Sequence, residues 1–127
     1  MENSAKVILL IEDEQPLSEA IEAHLTKSGF QVVNTRTVKQ AIDYIDELKK
    51  VDAIWLDHYL LGQESGLDFL AQLKNHEKGK NIPIFVISNT ASEDKVQSYI
   101  NFGITKYYVK SEYNLSSIIE DIKKTLS

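Results

Sequence analysis

Two patterns of apolar residues alternate along the chain. Runs of consecutive apolar residues are typical of strands covered on both faces of a sheet, whereas apolar residues that return every three or four positions are typical of amphipathic helices. The runs predict five strands at residues 7–11, 30–34, 53–56, 84–87 and 107–109. The second run, "FQVVN", is more mixed than the others, which favours a place at an edge of the sheet.

Helix signals follow the strands. Pro16 suits the first turn of a helix, and Gly29 suits the position after its last turn. The segments "TVKQ" (37–40) and "SGLD" (65–68) have the spacing of capping boxes. In the last two helices, the residues predicted to face the core are Val96, Tyr99 and Ile100, followed by Leu115, Ile118, Ile119, Ile122 and Leu126.

The elements alternate as five strand–helix pairs. Such alternation indicates a mostly parallel sheet with helices on both faces. The chain shows neither a linker nor an internal repeat, so we expect residues 1–127 to form a single domain.

Composition excludes several classes of function. The formal charge of −5 at pH 7 argues against direct binding to nucleic acid, whose phosphates need a cationic surface. The apolar runs are too short to span a bilayer, so we expect no membrane insertion. The absence of cysteine fits the reducing cytoplasm, where we expect the protein to be located.

Polar residues stand at the ends of the predicted strands. Glu12 and Asp13 follow the first strand, and Asp57 follows the third. Ser88 follows the fourth strand, and Lys110 follows the fifth. Each residue alone has an ordinary explanation, such as a charge at a helix terminus or a turn bond. Because the carboxyl ends of parallel strands share one edge, where ligands bind, the residues together predict a site.

The residue types at this edge suit phosphoryl transfer. Carboxylates close together favour a divalent cation such as Mg²⁺, which prefers oxygen ligands. An aspartate can attack a phosphoryl group to form an acyl phosphate. A cation, a hydroxyl and an ammonium group can then neutralise the phosphoryl oxygens.

The histidines and the tryptophan stay outside this prediction. His24, His58 and His76 lack the spacing of metal ligands, so we interpret them as surface or packing residues. Trp55 lies within an apolar run and is interpreted as a core residue.

Five segments carry recognisable motifs in a fixed order. They are "LLIEDE" (9–14), "DAIWLD" (52–57), "SGLDFL" (65–70), "PIFVISN" (83–89) and "FGITKYYVK" (102–110). With these motifs, essentially the whole chain resembles the receiver domain of two-component response regulators. The resemblance implies a doubly wound (βα)5, flavodoxin-like three-layer sandwich whose parallel sheet has the strand order 2-1-3-4-5.

The resemblance also implies roles at the metal and phosphorylation site. Asp57 would accept a phosphoryl group from a phosphohistidine of a sensor histidine kinase or a histidine phosphotransfer protein. Mg²⁺ would be bound by Glu12, Asp13 and Asp57, together with the backbone carbonyl of Tyr59. The domain would promote only its own phosphorylation and dephosphorylation, rather than act as an enzyme on a metabolite.

Three further residues receive roles from the resemblance. Ser88 and Lys110 would bond the phosphoryl oxygens. Tyr107 would be the switch aromatic that turns inward when Ser88 moves to the phosphate. This change would remodel the surface formed by helix four, strand five and helix five, to which a downstream protein or a second copy of the chain would bind.

Five positions depart from the family pattern. Ser111 stands where a proline usually follows the lysine, which leaves the peptide before it open to either isomer. Leu61 also replaces a usual proline, and Gly66 lies one residue further from the phosphoacceptor than usual. Asn89 replaces a very small residue. Tyr59 is bulky at a position that tunes attack by water, which predicts slow self-dephosphorylation.

Other functions fit the same elements. A degenerate receiver would use the fold as a phosphorylation-independent interaction module. A flavin- or nucleotide-binding domain would need a phosphate-binding loop after the first strand, but "IEDEQP" is acidic and lacks glycine. An aspartyl-phosphate phosphatase would place its nucleophile after the first strand, with a second aspartate two residues on. In this chain Tyr59 occupies that position relative to Asp57.

Overall fold

The predicted alternation of strands and helices is confirmed. The computed structural model of the chain describes residues 5–47, 50–58, 64–89 and 92–127. The strands are β1 (Val7–Ile11), β2 (Gln31–Thr35), β3 (Ala53–Leu56), β4 (Ile84–Ser88) and β5 (Lys106–Val109). The helices are α1 (Gln15–Lys27), α2 (Val38–Asp46), α3 (Gly66–Lys74), α4 (Glu93–Asn101) and α5 (Leu115–Leu126), and a short 3-10 helix covers Lys110–Glu112. Among the described helices, none has the length and hydrophobicity that a bilayer-spanning segment needs.

The strands form one parallel sheet in the order β2-β1-β3-β4-β5, which is the order that the resemblance implies. β2 is an edge strand with one fully buried residue, whereas every residue of β1, β3 and β4 is buried. The mixed sequence of β2 therefore reflects its edge position. The winding direction changes between β1 and β3, so a crevice opens at the carboxyl ends of these strands.

Side-chain bonds fix the starts of the two helices for which a capping box is predicted. At α3 the predicted capping box is complete, because the Ser65 backbone donates to Asp68 at 2.7 Å and the Asp68 backbone donates to the Ser65 hydroxyl at 3.5 Å. At α2 only half of the predicted box forms. Thr37 accepts a bond from the Gln40 backbone, but the Gln40 side chain accepts from the Arg36 backbone at 2.7 Å. The long glutamine side chain reaches one residue beyond the expected donor.

The helices divide between the two faces of the sheet. On the face that we call the α1–α5 face, an apolar cluster includes Ile21, Trp55 and Ile122. On the opposite face, the α2–α4 face, a second cluster includes Ile45 and Phe69. Trp55 is fully buried, which confirms its assignment to the core. The three layers are therefore helices, sheet and helices.

α4 buries less of its surface than predicted. Tyr99 is its only buried residue, Val96 is half-buried, and Ile100 is 52% exposed. The prediction that Ile100 faces the core is wrong. α4 contacts β5 at the edge of the sheet, where only a narrow stripe of a helix can be covered. Successive helical positions differ by about 100°, so the residue after Tyr99 points to solvent.

Candidate functional site

Three carboxylates meet at the carboxyl edge of the sheet. Glu12 and Asp13 directly follow β1, and Asp57 directly follows the neighbouring strand β3. One carboxylate oxygen of each residue lies within 4.8 Å of the others. The pairing of Ile11 with Leu56 explains this, because it brings the residues after both strands side by side.

Backbone hydrogen bonds continue past the strand ends and hold the acidic residues. The Asp57 backbone N–H donates to the Ile11 carbonyl at 3.0 Å, and the Glu12 N–H donates to the Thr35 carbonyl at 3.1 Å. The Glu14 N–H donates to the Glu12 carboxylate at 3.3 Å. The sheet therefore fixes the directions in which these carboxylates leave the backbone.

Lys110 reaches the carboxylates from the far side of β4. Its Nζ lies 3.5 Å from Oδ1 of Asp57 and 3.7 Å from Oε1 of Glu12. Lys110 follows β5, which is two strands away from β3, so its long side chain crosses the end of β4. The described residues contain no cis peptide bond, so the Lys110–Ser111 peptide is trans.

The acidic cluster carries more negative charge than its protein neighbours neutralise. Glu12 is 1% exposed and Asp57 is 4% exposed. Burial, together with the charge of Asp57, raises the pKa of Glu12 to about 7. Burial also raises the pKa of Asp57, although the Lys110 ammonium opposes this shift. Among the residues that the structure describes, three carboxylates thus meet one ammonium group, and a divalent cation would supply the missing positive charge.

One buried oxygen points to the same deficit. Oε1 of Glu12 is buried and accepts no hydrogen bond from the described residues. Buried polar atoms in native proteins normally have a partner, which can be a water or an ion. The donor set also consists of oxygen atoms, as Mg²⁺ requires. The residues present therefore fit a hard divalent cation.

The structure places Ser88 at the same edge of the sheet. Ser88 is the last residue of β4 and is fully buried. It pairs with Val109, the residue before Lys110, so β4 carries it between the strands of Asp57 and Lys110. Carboxylates, hydroxyl and ammonium group thus occupy one sheet edge, as the sequence predicts.

Of the remaining predicted residues, Tyr107 lies away from the carboxylates. Tyr107 lies within β5 and packs with the α2–α4 face, where its ring centroid is 5.5 Å from that of Tyr99. The predicted metal ligand Tyr59 and the departure at Leu61 lie outside the described residues. Tyr107 therefore does not belong to the carboxylate cluster, and it packs against Tyr99 of α4.

A buried polar pair adjoins Asp57 and was not predicted from the sequence. Nδ1 of His58 and the hydroxyl of Tyr99 share a hydrogen bond of 2.6 Å. His58 is 5% exposed and Tyr99 is fully buried. Burial, followed by the charge of Lys95, lowers the pKa of His58, so the ring favours its neutral form. The sequence shows a histidine directly after Asp57, but it does not indicate that its partner is Tyr99, 41 residues away.

A cation at the rim was also missed. The Arg36 guanidinium donates to the backbone carbonyl of Asp13 at 3.1 Å. Arg36 is exposed and belongs to the connection between β2 and α2. It stabilises the backbone at Asp13, just after β1, from outside the carboxylate cluster.

Comparison with known proteins identifies the family. The family model of the response regulator receiver domain matches residues 8–123. The chain belongs to this family. Both the strand order and the acidic edge described above agree with that membership.

The curated relatives of this receiver domain are longer proteins. The phosphate regulon transcriptional regulatory protein PhoB of Pseudomonas aeruginosa is 31% identical over 105 residues, a match that covers 83% of this chain and 45% of that protein. PhoB of Escherichia coli K12 is 30% identical over 106 residues and is also covered to 45%. The chain therefore spans less than half the length of these relatives.

Solved receiver structures share the fold. The phosphorylated cyanobacterial phytochrome response regulator RcpA superposes with a TM-score of 0.80 at 27% identity, over 96% of this chain and 91% of that chain. The Mn(2+)-bound form of response regulator Rcp1 has a TM-score of 0.77 at 25% identity, over 94% of this chain and 90% of that chain. The chemotaxis protein CheY4 of Vibrio cholerae has a TM-score of 0.86 at 19% identity, over 97% of this chain and 100% of that chain, and supports the fold alone.

Proposed function

We propose that this receiver domain accepts a phosphoryl group on Asp57 in a reaction that depends on Mg²⁺, and that residues 1–127 form one such domain. The observation that carries the proposal is the buried acidic cluster with Lys110 facing it, 3.5 Å from the Asp57 carboxylate. The solved relative RcpA was crystallised phosphorylated, which supports phosphorylation here as well.

The chemical step is a transfer between two side chains. An Asp57 oxygen attacks the phosphorus atom of a phosphohistidine on the donor protein. The new O–P bond forms as the N–P bond breaks, and the donor imidazole keeps the electron pair of that bond. The ammonium group of Lys110 favours the ionised carboxylate that this attack needs.

The acidic residues hold the cation in this proposal. Glu12, Asp13 and Asp57 provide carboxylate oxygens, and the backbone carbonyl of Tyr59 is a further proposed ligand. When bound, Mg²⁺ neutralises charge on the phosphoryl oxygens. The relative Rcp1 was crystallised with Mn(2+), a cation that also takes oxygen ligands.

Ser88 and Lys110 complete the phosphoryl site. Ser88 would donate its hydroxyl to one phosphoryl oxygen, and Lys110 would pair with another. Tyr107 would respond to the movement of Ser88 and change the surface of α4, β5 and α5. The buried position of Ser88 at the end of β4 supports this assignment, because a small motion there reaches β5 directly.

The partners follow from this chemistry. Receiver domains interact with histidine kinases and phosphotransfer proteins, and we propose one of these as the donor. A downstream protein or a second copy of the chain would bind to the α4–β5–α5 surface. We also propose that the domain is cytoplasmic and that it promotes only its own phosphorylation and dephosphorylation.

Intact-protein mass spectrometry tests the proposal. The protein is incubated with a small phosphodonor in the presence of Mg²⁺, and in parallel with a chelator. We expect a mass gain of one phosphoryl group with Mg²⁺ only, and no gain in the Asp57→Asn variant. A parent protein that gains no mass under any of these conditions would leave the phosphorylation-independent interaction module as the better hypothesis.

A further inference from the structure

α4 is held to the sheet by a single buried side chain. Of its nine residues, all of which the structure describes, only Tyr99 is fully buried. Ile100, the next residue, is 52% exposed. A helix with one fully buried side chain shifts more easily when the contacts of that side chain change, because few other buried groups oppose the movement.

The anchor of α4 is bonded to the residue after the phosphoacceptor. The Tyr99 hydroxyl and Nδ1 of His58 share the 2.6 Å hydrogen bond, and their rings meet edge to face with centroids 5.7 Å apart. Both side chains are buried. A buried bond of this kind restricts geometry strongly, because leaving either polar group unsatisfied in the interior is unfavourable.

Gly66 closes the space around this bond. A Cβ atom at Gly66 would lie 2.5 Å from the Tyr99 hydroxyl and 2.9 Å from the Asp57 backbone carbonyl. The Gly66 backbone N–H also donates to the His58 carbonyl at 2.9 Å. The hydroxyl from α4 therefore packs directly against the backbone turn that carries Asp57, with no room for a side chain between them.

Tyr99 also contacts the predicted switch residue. Its ring centroid lies 5.5 Å from that of Tyr107 in β5, with the planes tilted by 49°. Tyr99 thus contacts the phosphoacceptor turn on one side and the residue proposed to change the output surface on the other.

We propose that Tyr99 is a positioning residue that couples α4 to the phosphorylation site through His58. This connection is additional to the one through Ser88 and Tyr107, and it rests on the proposed phosphorylation of Asp57. A backbone shift at Asp57 and His58 must either carry the Tyr99 hydroxyl with it or break the bond. The bond also restrains the backbone beside Asp57, so the position of α4 should influence how well Asp57 is placed for attack on the phosphorus atom.

Hydrogen exchange of α4 tests the anchor in the unphosphorylated protein. Tyr99→Phe keeps the ring and removes the hydroxyl, and Tyr44→Phe removes a hydroxyl from α2 as the matched control. We expect α4 amides to exchange roughly five- to tenfold faster in Tyr99→Phe and to be unchanged in Tyr44→Phe. The amides of α5 serve as the internal reference. Equal α4 exchange in Tyr99→Phe and the parent would overturn the proposal.

The rate of mass gain with the small phosphodonor and Mg²⁺ tests the coupling. We expect this rate to change at least about twofold in Tyr99→Phe, because the placement of Asp57 changes, and to remain that of the parent in Tyr44→Phe. His58→Asn should keep the parental rate and the parental α4 exchange, because its side-chain amide can bond the Tyr99 hydroxyl in place of Nδ1. His58→Leu cannot form this bond and should behave like Tyr99→Phe. A rate in Tyr99→Phe and His58→Leu equal to that of the parent would overturn the coupling.

The two proposals fail in different ways. A parent protein that takes up no phosphoryl group contradicts the proposed function and the coupling together. Faster α4 exchange in Tyr99→Phe would still establish the anchor in that case. Normal phosphorylation of all variants at the parental rate would instead contradict the coupling alone.

Discussion

Helices α5 and α4, which pack on opposite faces of the sheet, are held in different ways. α5, on the α1–α5 face, buries Ile118, Ile119 and Ile122, whereas α4 buries only Tyr99, whose hydroxyl shares a hydrogen bond with His58. Apolar burial has no direction and tolerates small shifts, but a hydrogen bond weakens steeply when its geometry changes. α5 is therefore suited to stabilise the fold, and α4 is suited to respond to the site.

Truncation of an isoleucine in each helix tests this difference in packing. Ile122→Ala in α5 should lower the free energy of unfolding by about 2–5 kcal/mol, because Ile122 is fully buried. The matched variant Ile100→Ala in α4 should change it by less than about 0.5 kcal/mol, because that side chain is largely exposed. Chemical denaturation measures both values. Similar losses in the two variants would show that α4 is packed as firmly as α5.

The carboxylate cluster at the carboxyl edge of the sheet should lower the stability of the metal-free protein. Glu12 has an ordinary pKa of 4.5 and a folded-state pKa of about 7, so between these values the folded protein holds a proton that the unfolded chain has lost. Stability should therefore fall as the pH rises through this window. Glu12→Gln should be more stable than the parent by on the order of 1–3 kcal/mol at about pH 8.

Denaturation series with a chelator, across the same pH range, measure this effect. The Glu12→Gln curve should lose most of the slope that the parent shows. A parent whose stability rises with pH through the window would contradict the electrostatic description of the edge.

Competition between protons and Mg²⁺ for Glu12 predicts that the affinity for the cation depends on pH. We expect this effect to be smaller than the effect on stability. Because Glu12 titrates near pH 7, Mg²⁺ should bind roughly tenfold more weakly at about pH 6 than at about pH 8. Isothermal titration calorimetry of the parent and of Glu12→Gln measures the difference. The variant should bind more weakly overall and with less dependence on pH, and an equal pH dependence in both proteins would assign the proton to another group.

A hydrogen bond to α5 allows the same kind of test on the other face, with a smaller expected effect. The Tyr108 hydroxyl donates to Asp121 of α5 at 2.7 Å, which is the counterpart on the α1–α5 face of the Tyr99 bond. Tyr108→Phe should lower stability by about 0.5–1.5 kcal/mol. It should leave exchange of the α5 amides nearly unchanged, because three buried isoleucines still hold that helix. Loosening of α5 as large as that of α4 in Tyr99→Phe would remove the distinction between the two helices.

Local patterns in the sequence were sufficient for the elements of the fold. The capping pair of Ser65 and Asp68 and the stop at Gly29, whose φ is 99°, act within one helical turn and could be predicted. The strand order came from the family resemblance rather than from periodicity. The gathering of Asp13 and Asp57 followed from the rule that parallel strands end at one edge.

The features that were missed depend on distant contacts. Ile100 fits a helical apolar stripe, but its exposure depends on how much of α4 overlaps the sheet edge. The bond between His58 and Tyr99 joins residues that are 41 positions apart, and nothing in either local sequence indicates the other. Propensity and periodicity carry information about one element at a time, so contacts between elements need the assembled structure.

The most direct test of the central claim locates the phosphoryl group itself. After reaction with a small phosphodonor and Mg²⁺, borohydride reduces an aspartyl phosphate to homoserine, and peptide mass spectrometry then identifies the altered position. We predict homoserine at position 57, dependent on Mg²⁺ and absent without the phosphodonor. Homoserine at another aspartate, or no altered residue in a folded protein, would contradict the account.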